Sequence, residues 1–137
     1  MLVRCSDKAF LVGAGSLGTA LLKYPGFEQA GARIVAAFDL DPAKAGIRIG
    51  AIQVLPMAKL PDLTARMHIS VGILTVPAEA AQGAAELMVA SGIRAIWNFA
   101  PVTLKLPAEV IVENLELFPS FALLLRRFSD SRQGAVS

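Results

Sequence analysis

Short and nearly continuous apolar runs, each ended by glycine, proline or a polar residue, recur along the chain. They cover Ala9–Val12, Arg33–Phe38, Ile69–Val76, Arg94–Asn98 and Val110–Val112. Strands that are apolar at successive positions, rather than at alternate ones, are typical of parallel sheets covered on both faces. The five runs therefore predict the main strands of a buried, mostly parallel sheet.

Helical patterns separate these strands. Ser16–Lys23 carries apolar residues at a helical period, and Ala78–Ala90 is rich in alanine. Pro77 and Gly92 bound the second segment, as is common at a helix start and just beyond a helix end. Pro61–Arg66 predicts a further short helix. Strands that alternate with helices predict an α/β protein with a doubly wound sheet, a Rossmann fold.

Turn residues interrupt this pattern twice. The sequence YPGF at Tyr24–Phe27 ends the first helix, because proline cannot continue it. Asp, Pro and Gly punctuate the segment after Asp39, which predicts a loop with short extended pieces at Ile47–Ile49 and Gln53–Leu55. The chain shows neither an internal repeat nor a flexible linker, so residues 1–137 are predicted to form a single domain.

The composition indicates a packed globular protein, since 55% of the residues are apolar and 18% are charged. The net charge of +2 is too small to predict a nucleic-acid-binding protein. A single cysteine, Cys5, excludes an intramolecular disulfide and fits a cytoplasmic location. We find no secretion signal and no apolar run long enough to predict a membrane span.

The clearest motif is GAGSLG, which matches G-x-G-x-x-G between a predicted strand and a predicted helix. In this motif Gly13 permits a tight turn, Gly15 lets the backbone approach a pyrophosphate, and Gly18 lets the helix pack on the strand. Ser16 and Leu17 open the helix, where free N–H groups attract phosphate. These residues predict a dinucleotide site.

A second element of the same site is Asp39, which ends the next strand and stands 21 residues after Gly18. Its carboxylate would accept hydrogen bonds from an adenosine ribose and repel a 2′-phosphate, which favours NAD(H) over NADP(H). The neighbouring Leu40 is expected to line the same pocket. Asp41 competes for the ribose but lies in the following turn, and an aspartate that merely ends a strand is the alternative interpretation.

Two further strand ends are expected at the same crevice, because ligands of such sheets bind beyond the carboxyl ends of the strands. Thr75, Val76 and Pro77 would line the diphosphate and the nicotinamide ribose. The segment from Asn98 through Phe99 and Ala100 to Pro101 would border the nicotinamide ring. Ordinary turns between strands and helices explain both segments equally well.

Residues suited to catalysis are few. His68, the only histidine, precedes a predicted strand and so falls at the edge opposite the crevice. Glu79 is expected to stabilise the first turn of its helix. Cys5 has no histidine near it in sequence that would lower its pKa. The sequence predicts neither a catalytic residue nor a metal site, and hence a protein that is not an enzyme.

Four segments occur in the order YPGF, FDLDP, TVPAEAAQ and NFAP, and with them the chain resembles the nucleotide-binding domain of Rex. Rex proteins are bacterial redox-sensing transcriptional repressors. The resemblance covers Ala9 to Leu125. It implies a domain that binds NADH and NAD⁺ competitively without turnover, and a homodimer in which the C-terminal helix swaps into the partner. It carries over the cofactor-lining positions Gly13, Gly15, Gly18, Asp39, Thr75, Val76, Pro77, Asn98, Phe99 and Ala100.

The chain departs from Rex in two respects. Rex has a winged-helix DNA-binding domain before this region, whereas only eight residues precede the first predicted strand here, so we expect no operator binding by this chain alone. In Rex an Asp usually stands at the position of Glu116, and Ser or Thr at that of Phe118, without the proline found here at position 119. These differences put the usual switching contacts in doubt.

The C-terminal segment predicts an apolar helix over about 118–128, with Phe118, Phe121, Leu125 and Phe128 at helical spacing. Such a surface must be buried, either against a second copy of the chain or against its own domain, and we expect a homodimer. Two other functions remain open from the residues: a CoA- or adenine-nucleotide-binding protein, and a small NAD-dependent oxidoreductase.

Overall fold

The structure is a computed structural model and describes residues 7–115 and 117–136, with side chains at the C-terminal helix from Pro119 to Gln133. Cys5, Glu116 and the side chain of Phe118, to which the sequence analysis assigned roles, lie outside this description. No helix among the described residues is long and apolar enough to cross a membrane.

The described chain contains seven strands and five α-helices. The strands are β1 (Asp7–Val12), β2 (Ala32–Asp39), β3 (Arg48–Ile49), β4 (Ile52–Pro56), β5 (Val71–Leu74), β6 (Ala95–Asn98) and β7 (Ile111–Asn114). The helices are α1 (Ser16–Leu22), α2 (Gly26–Gln29), α3 (Leu60–Met67), α4 (Ala78–Ser91) and α5 (Leu117–Val136). Two 3₁₀ turns lie at Pro42–Lys44 and Met57–Lys59.

One sheet contains all seven strands, in the order β3-β4-β2-β1-β5-β6-β7. The β3–β4 pair is antiparallel, and every other neighbouring pair is parallel. The six parallel strands follow the order of a Rossmann fold, which confirms the predicted doubly wound sheet. Successive strands are added on one side of β1 up to β4 and on the other side from β5 onward. The open crevice therefore lies at the carboxyl ends of β1 and β5, where the strand order reverses.

The core forms two layers, one on each face of the sheet. On one face α3 and α4 cover Phe10, Phe38 and Leu74, which are fully buried. On the other face α1 and α2 cover Leu11 and Ala37. Burial on both faces explains why these strands are apolar at successive positions.

Most predicted elements are confirmed to within a few residues, with three differences. YPGF does not only end α1, because Gly26 and Phe27 begin the short helix α2. The strand predicted over Ile69–Val76 is shortened to β5, since the Ile69 N–H bonds to the carbonyl of Thr64 at the end of α3. The predicted C-terminal helix is longer, running to Val136.

Candidate functional site

The turn after β1 is built around Gly13, which adopts φ +110°. Its N–H donates to the carbonyl of Phe38 at 2.7 Å. A Cβ at this position would lie 2.8 Å from both Thr75 C and Val76 N. A side chain is therefore excluded by the backbone conformation and by the approach of the chain that leaves β5.

Thr75 joins the two strand ends that flank the crevice. Its hydroxyl donates to the Gly13 carbonyl at 2.6 Å, and its N–H donates to the Val12 carbonyl at 2.9 Å. The Thr75 side chain thus holds the glycine turn in place from the side of β5. Next to it, Val76 is buried and Pro77 is exposed at the start of α4.

The other two glycines of the motif have different surroundings. Gly18 is buried, and a Cβ there would collide with the Gly13 carbonyl oxygen, so glycine is required for α1 to pack against the turn. Gly15 has nothing within 4 Å of its Cβ position. No side chain caps α1, and Ser16 and Leu17 at its start are exposed. The first turn of α1 is consequently open to the crevice.

Asp39 is half-buried at the end of β2 and reaches the glycine turn. Its Oδ2 accepts the Ala14 N–H at 2.7 Å, and its Oδ1 accepts the Asp41 N–H at 2.8 Å. Asp41 instead caps the following 3₁₀ turn, accepting the Ala43 N–H at 3.0 Å. Of the two aspartates, Asp39 is the one that lies against the glycine motif. Leu40 follows it with half of its surface exposed.

The segment after β6 is held by Asn98, whose side chain is fully buried. Its amide nitrogen donates to the Val102 carbonyl at 3.1 Å and to Asn114 Oδ1 at 3.0 Å. Its oxygen accepts the Ala100 N–H at 3.0 Å. This side chain is fully buried and hydrogen-bonded within the protein, so it shapes the turn and is not exposed to a ligand.

Aromatic side chains extend from this turn across one face of the sheet. Phe99 packs edge-on against Trp97 with 4.5 Å between ring centroids, and Trp97 contacts Phe27 at 5.9 Å. Phe99 is partly exposed beside the buried Ala100 and the exposed Pro101. Because β5 and β6 are in register from Val71 to Leu74, this turn lies next to the one that contains Thr75.

The fold therefore brings the predicted positions after β1, β2, β5 and β6 to one edge of the sheet. His68 lies at the opposite edge, exposed, with φ +56° at the end of α3. Across the described residues no three His, Cys, Asp or Glu side chains are grouped so as to hold a metal ion.

Sequence reasoning missed Lys44 and the structural role of Asn98. Lys44 Nζ lies 3.3 Å from the Ala14 carbonyl, although the residue falls in a segment interpreted as loop. Asn98 was assigned to the nicotinamide border, whereas its partner Asn114 is 16 residues away in sequence. No local pattern indicated either contact.

Comparison with known proteins identifies the family of this domain. The sequence profile of the CoA binding domain family matches residues 6–102. The chain belongs to the CoA binding domain family. This CoA binding domain is 42% identical over 120 residues to the redox-sensing transcriptional repressor Rex of Porphyromonas gingivalis, a match that covers 88% of the chain. The chain spans 55% of that relative's length, so about half of it.

Solved structures agree with this assignment. The CoA binding domain is 36% identical to RSP, a Rex-family repressor, in its complex with β-NADH, with a TM-score of 0.86 over 94% of the chain and 62% of RSP. The complex of RSP with β-NAD⁺ and operator DNA gives the same TM-score and identity, over 94% of the chain and 59% of RSP. The resemblance to Rex is thereby confirmed.

Proposed function

We propose that this chain binds NADH and NAD⁺ in the crevice beyond β1 and β5 and responds to their ratio without turning them over. One observation carries the proposal: the G-x-G-x-x-G turn lies at the reversal point of the sheet with the Asp39 carboxylate bonded to it. The similarity to RSP in complex with β-NADH supports the choice of ligand.

In this proposal the pyrophosphate lies on the open first turn of α1, at Gly15, Ser16 and Leu17. The adenosine ribose contacts Asp39, with Leu40 beside it. Each Asp39 oxygen accepts one backbone N–H and has a further lone pair, so the carboxylate can accept ribose hydroxyls without leaving the turn. The site is thus preorganised before the ligand arrives.

The nicotinamide half would extend from Thr75, Val76 and Pro77 toward Phe99, Ala100 and Pro101. Asn98 would act indirectly, by fixing the turn that carries Phe99. Absence of turnover is supported by the position of His68 at the far edge and by the relatives, which are named as repressors. A cytoplasmic location belongs to the same proposal.

A homodimer through α5 completes the proposal. The described side chains of α5 from Pro119 to Gln133 are all exposed. On the sheet face that carries Trp97 and Phe99, Ile111 of β7 is 70% exposed. Apolar surface of this kind on both a helix and a sheet face favours burial of each against a second copy.

The alternative is CoA, because the family profile is that of CoA binding domains. A glycine turn holds any diphosphate, but the Asp39 carboxylate would repel the 3′-phosphate of CoA if its adenosine occupied the usual pocket. Titration calorimetry with NADH, NAD⁺ and CoA separates the two. We expect both nicotinamides to bind and Asp39→Ala to weaken them, whereas heat from CoA alone would replace the proposal with the alternative.

A further inference from the structure

Lys44 is a second charged residue that contacts the glycine turn. It ends the 3₁₀ turn Pro42–Lys44, and its half-buried side chain returns so that Nζ lies 3.3 Å from the Ala14 carbonyl oxygen. The Ala14 N–H is bound by Asp39 Oδ2 at 2.7 Å. A carboxylate and an ammonium therefore meet the same residue of the turn.

The two charged groups bind different atoms of Ala14. Within residues 7–115, which the structure describes, Asp39 and Lys44 form no ion pair with each other. Lysine has three N–H donors, and one of them is used by Ala14. Lys44 thus keeps donors for a ligand at the place where the adenosine ribose is proposed to lie.

We infer that Lys44 is a second residue that sets the response of this site to a phosphate on the adenosine ribose, because its ammonium would bind that phosphate once the repelling charge of Asp39 is removed. The inference rests on the proposed function, since it assumes that the ribose lies at Asp39. Phosphate beside a carboxylate is disfavoured by like-charge repulsion, whereas an ammonium is a common phosphate partner in proteins.

Asp41 is the other charge in this segment. It is exposed, and its Oδ1 accepts the Ala43 N–H, so it faces the 3₁₀ turn and makes no hydrogen bond to Ala14. Asp41 would repel a ribose phosphate more weakly than Asp39 because it is separated from the glycine turn and more fully hydrated. Its neutralisation is therefore a matched control for the neutralisation of Asp39.

The test compares the dissociation constants of NADH and NADPH in single and double variants. We expect the unmodified chain to prefer NADH, and Asp39→Asn to narrow that preference by about tenfold or more. Adding Lys44→Met to Asp39→Asn should abolish the gain in NADPH binding, and adding Lys44→Arg should retain it. Asp41→Asn should narrow the preference for NADH less than Asp39→Asn does, and Lys8→Met, at the opposite edge of the sheet, should leave it unchanged.

Asp39→Asn removes an acceptor of a backbone N–H, so Asp39→Ser is measured beside it and thermal melts establish that each variant is folded. The inference is overturned if NADH binds but neither Asp39 variant gains NADPH affinity, or if the gain survives Lys44→Met. A chain that binds neither dinucleotide would instead overturn the proposed function, and the inference with it.

Discussion

At the scale of single residues, Gly13 and Gly46 allow the energetic cost of a positive φ to be measured apart from the cost of steric crowding. Gly13 has φ +110° and is enclosed by the backbone of Thr75 and Val76, whereas Gly46 has φ +89° and nothing within 4 Å of its Cβ position. Gly46→Ala should lower the free energy of unfolding by about 1–2 kcal/mol, the cost of the unfavourable φ. Gly13→Ala should cost a further 1–3 kcal/mol or so, because the backbone must also move. Urea unfolding measures both, and equal losses would contradict the crowded turn.

Gly15 gives the complementary prediction. Its φ is −78°, and its Cβ position is open, so Gly15→Ala should change the free energy of unfolding by less than about 0.5 kcal/mol. The space is needed only if a pyrophosphate approaches the backbone, so NADH affinity should fall by about tenfold or more. Calorimetry and urea unfolding of one variant supply both numbers. An unchanged NADH affinity would contradict the placement of the pyrophosphate on this turn.

Residue-scale prediction from sequence was strongest where one chemical requirement dominates. Gly13 and Gly18 stand where a Cβ would collide with backbone, and a glycine spacing indicates such places directly. The contacts of Asn98 and Lys44 within the protein were missed because their partners, Asn114 and Ala14, come from other elements. A polar side chain in a loop has the same local pattern whether it binds a ligand or another part of the protein.

At the scale of elements, α5 makes the sharpest prediction. Phe121, Leu125 and Phe128 form a row on this helix, and each is more than half exposed. Burying one such side chain is worth about 1.5–3 kcal/mol, so the double variant Phe121→Glu and Leu125→Glu should convert a dimer into monomers. Sedimentation of both proteins measures the change.

The control for α5 is Ser120→Glu, which adds one charge to the same helix outside the row and should leave the dimer intact. A monomeric unmodified chain, or a double variant that still sediments as a dimer, would contradict the role of this helix.

The elements themselves were largely predictable because β1, β2 and α4 carry strong patterns over several residues. The short helix α2 was missed, since four residues are too few to show a helical period and Pro25 and Gly26 indicate a turn equally well. The start of β5 was misplaced because the Ile69 N–H bonds to the carbonyl of Thr64 in α3 and not to a neighbouring strand. Tertiary contacts, which a local pattern does not contain, decided both.

At the scale of the whole molecule, the sheet order explains why distant segments form one site. The crossing from β4 to β5 returns the chain to the centre of the sheet, and the turns that contain Gly13 and Thr75 meet there. Alternating strands and helices predicted the class of fold, and the resemblance to Rex predicted the ligand. Neither specified that Lys44 reaches the glycine turn, because that depends on how the segment after β2 folds back.

The central claim is that the crevice holds an intact nicotinamide dinucleotide, and a crystal structure of the chain grown with NADH tests it most directly. The account predicts density for the pyrophosphate on the first turn of α1, with the adenosine ribose at Asp39 and the nicotinamide near Phe99. Density for NADH elsewhere on the molecule, or a glycine turn left empty at saturating NADH, would contradict it.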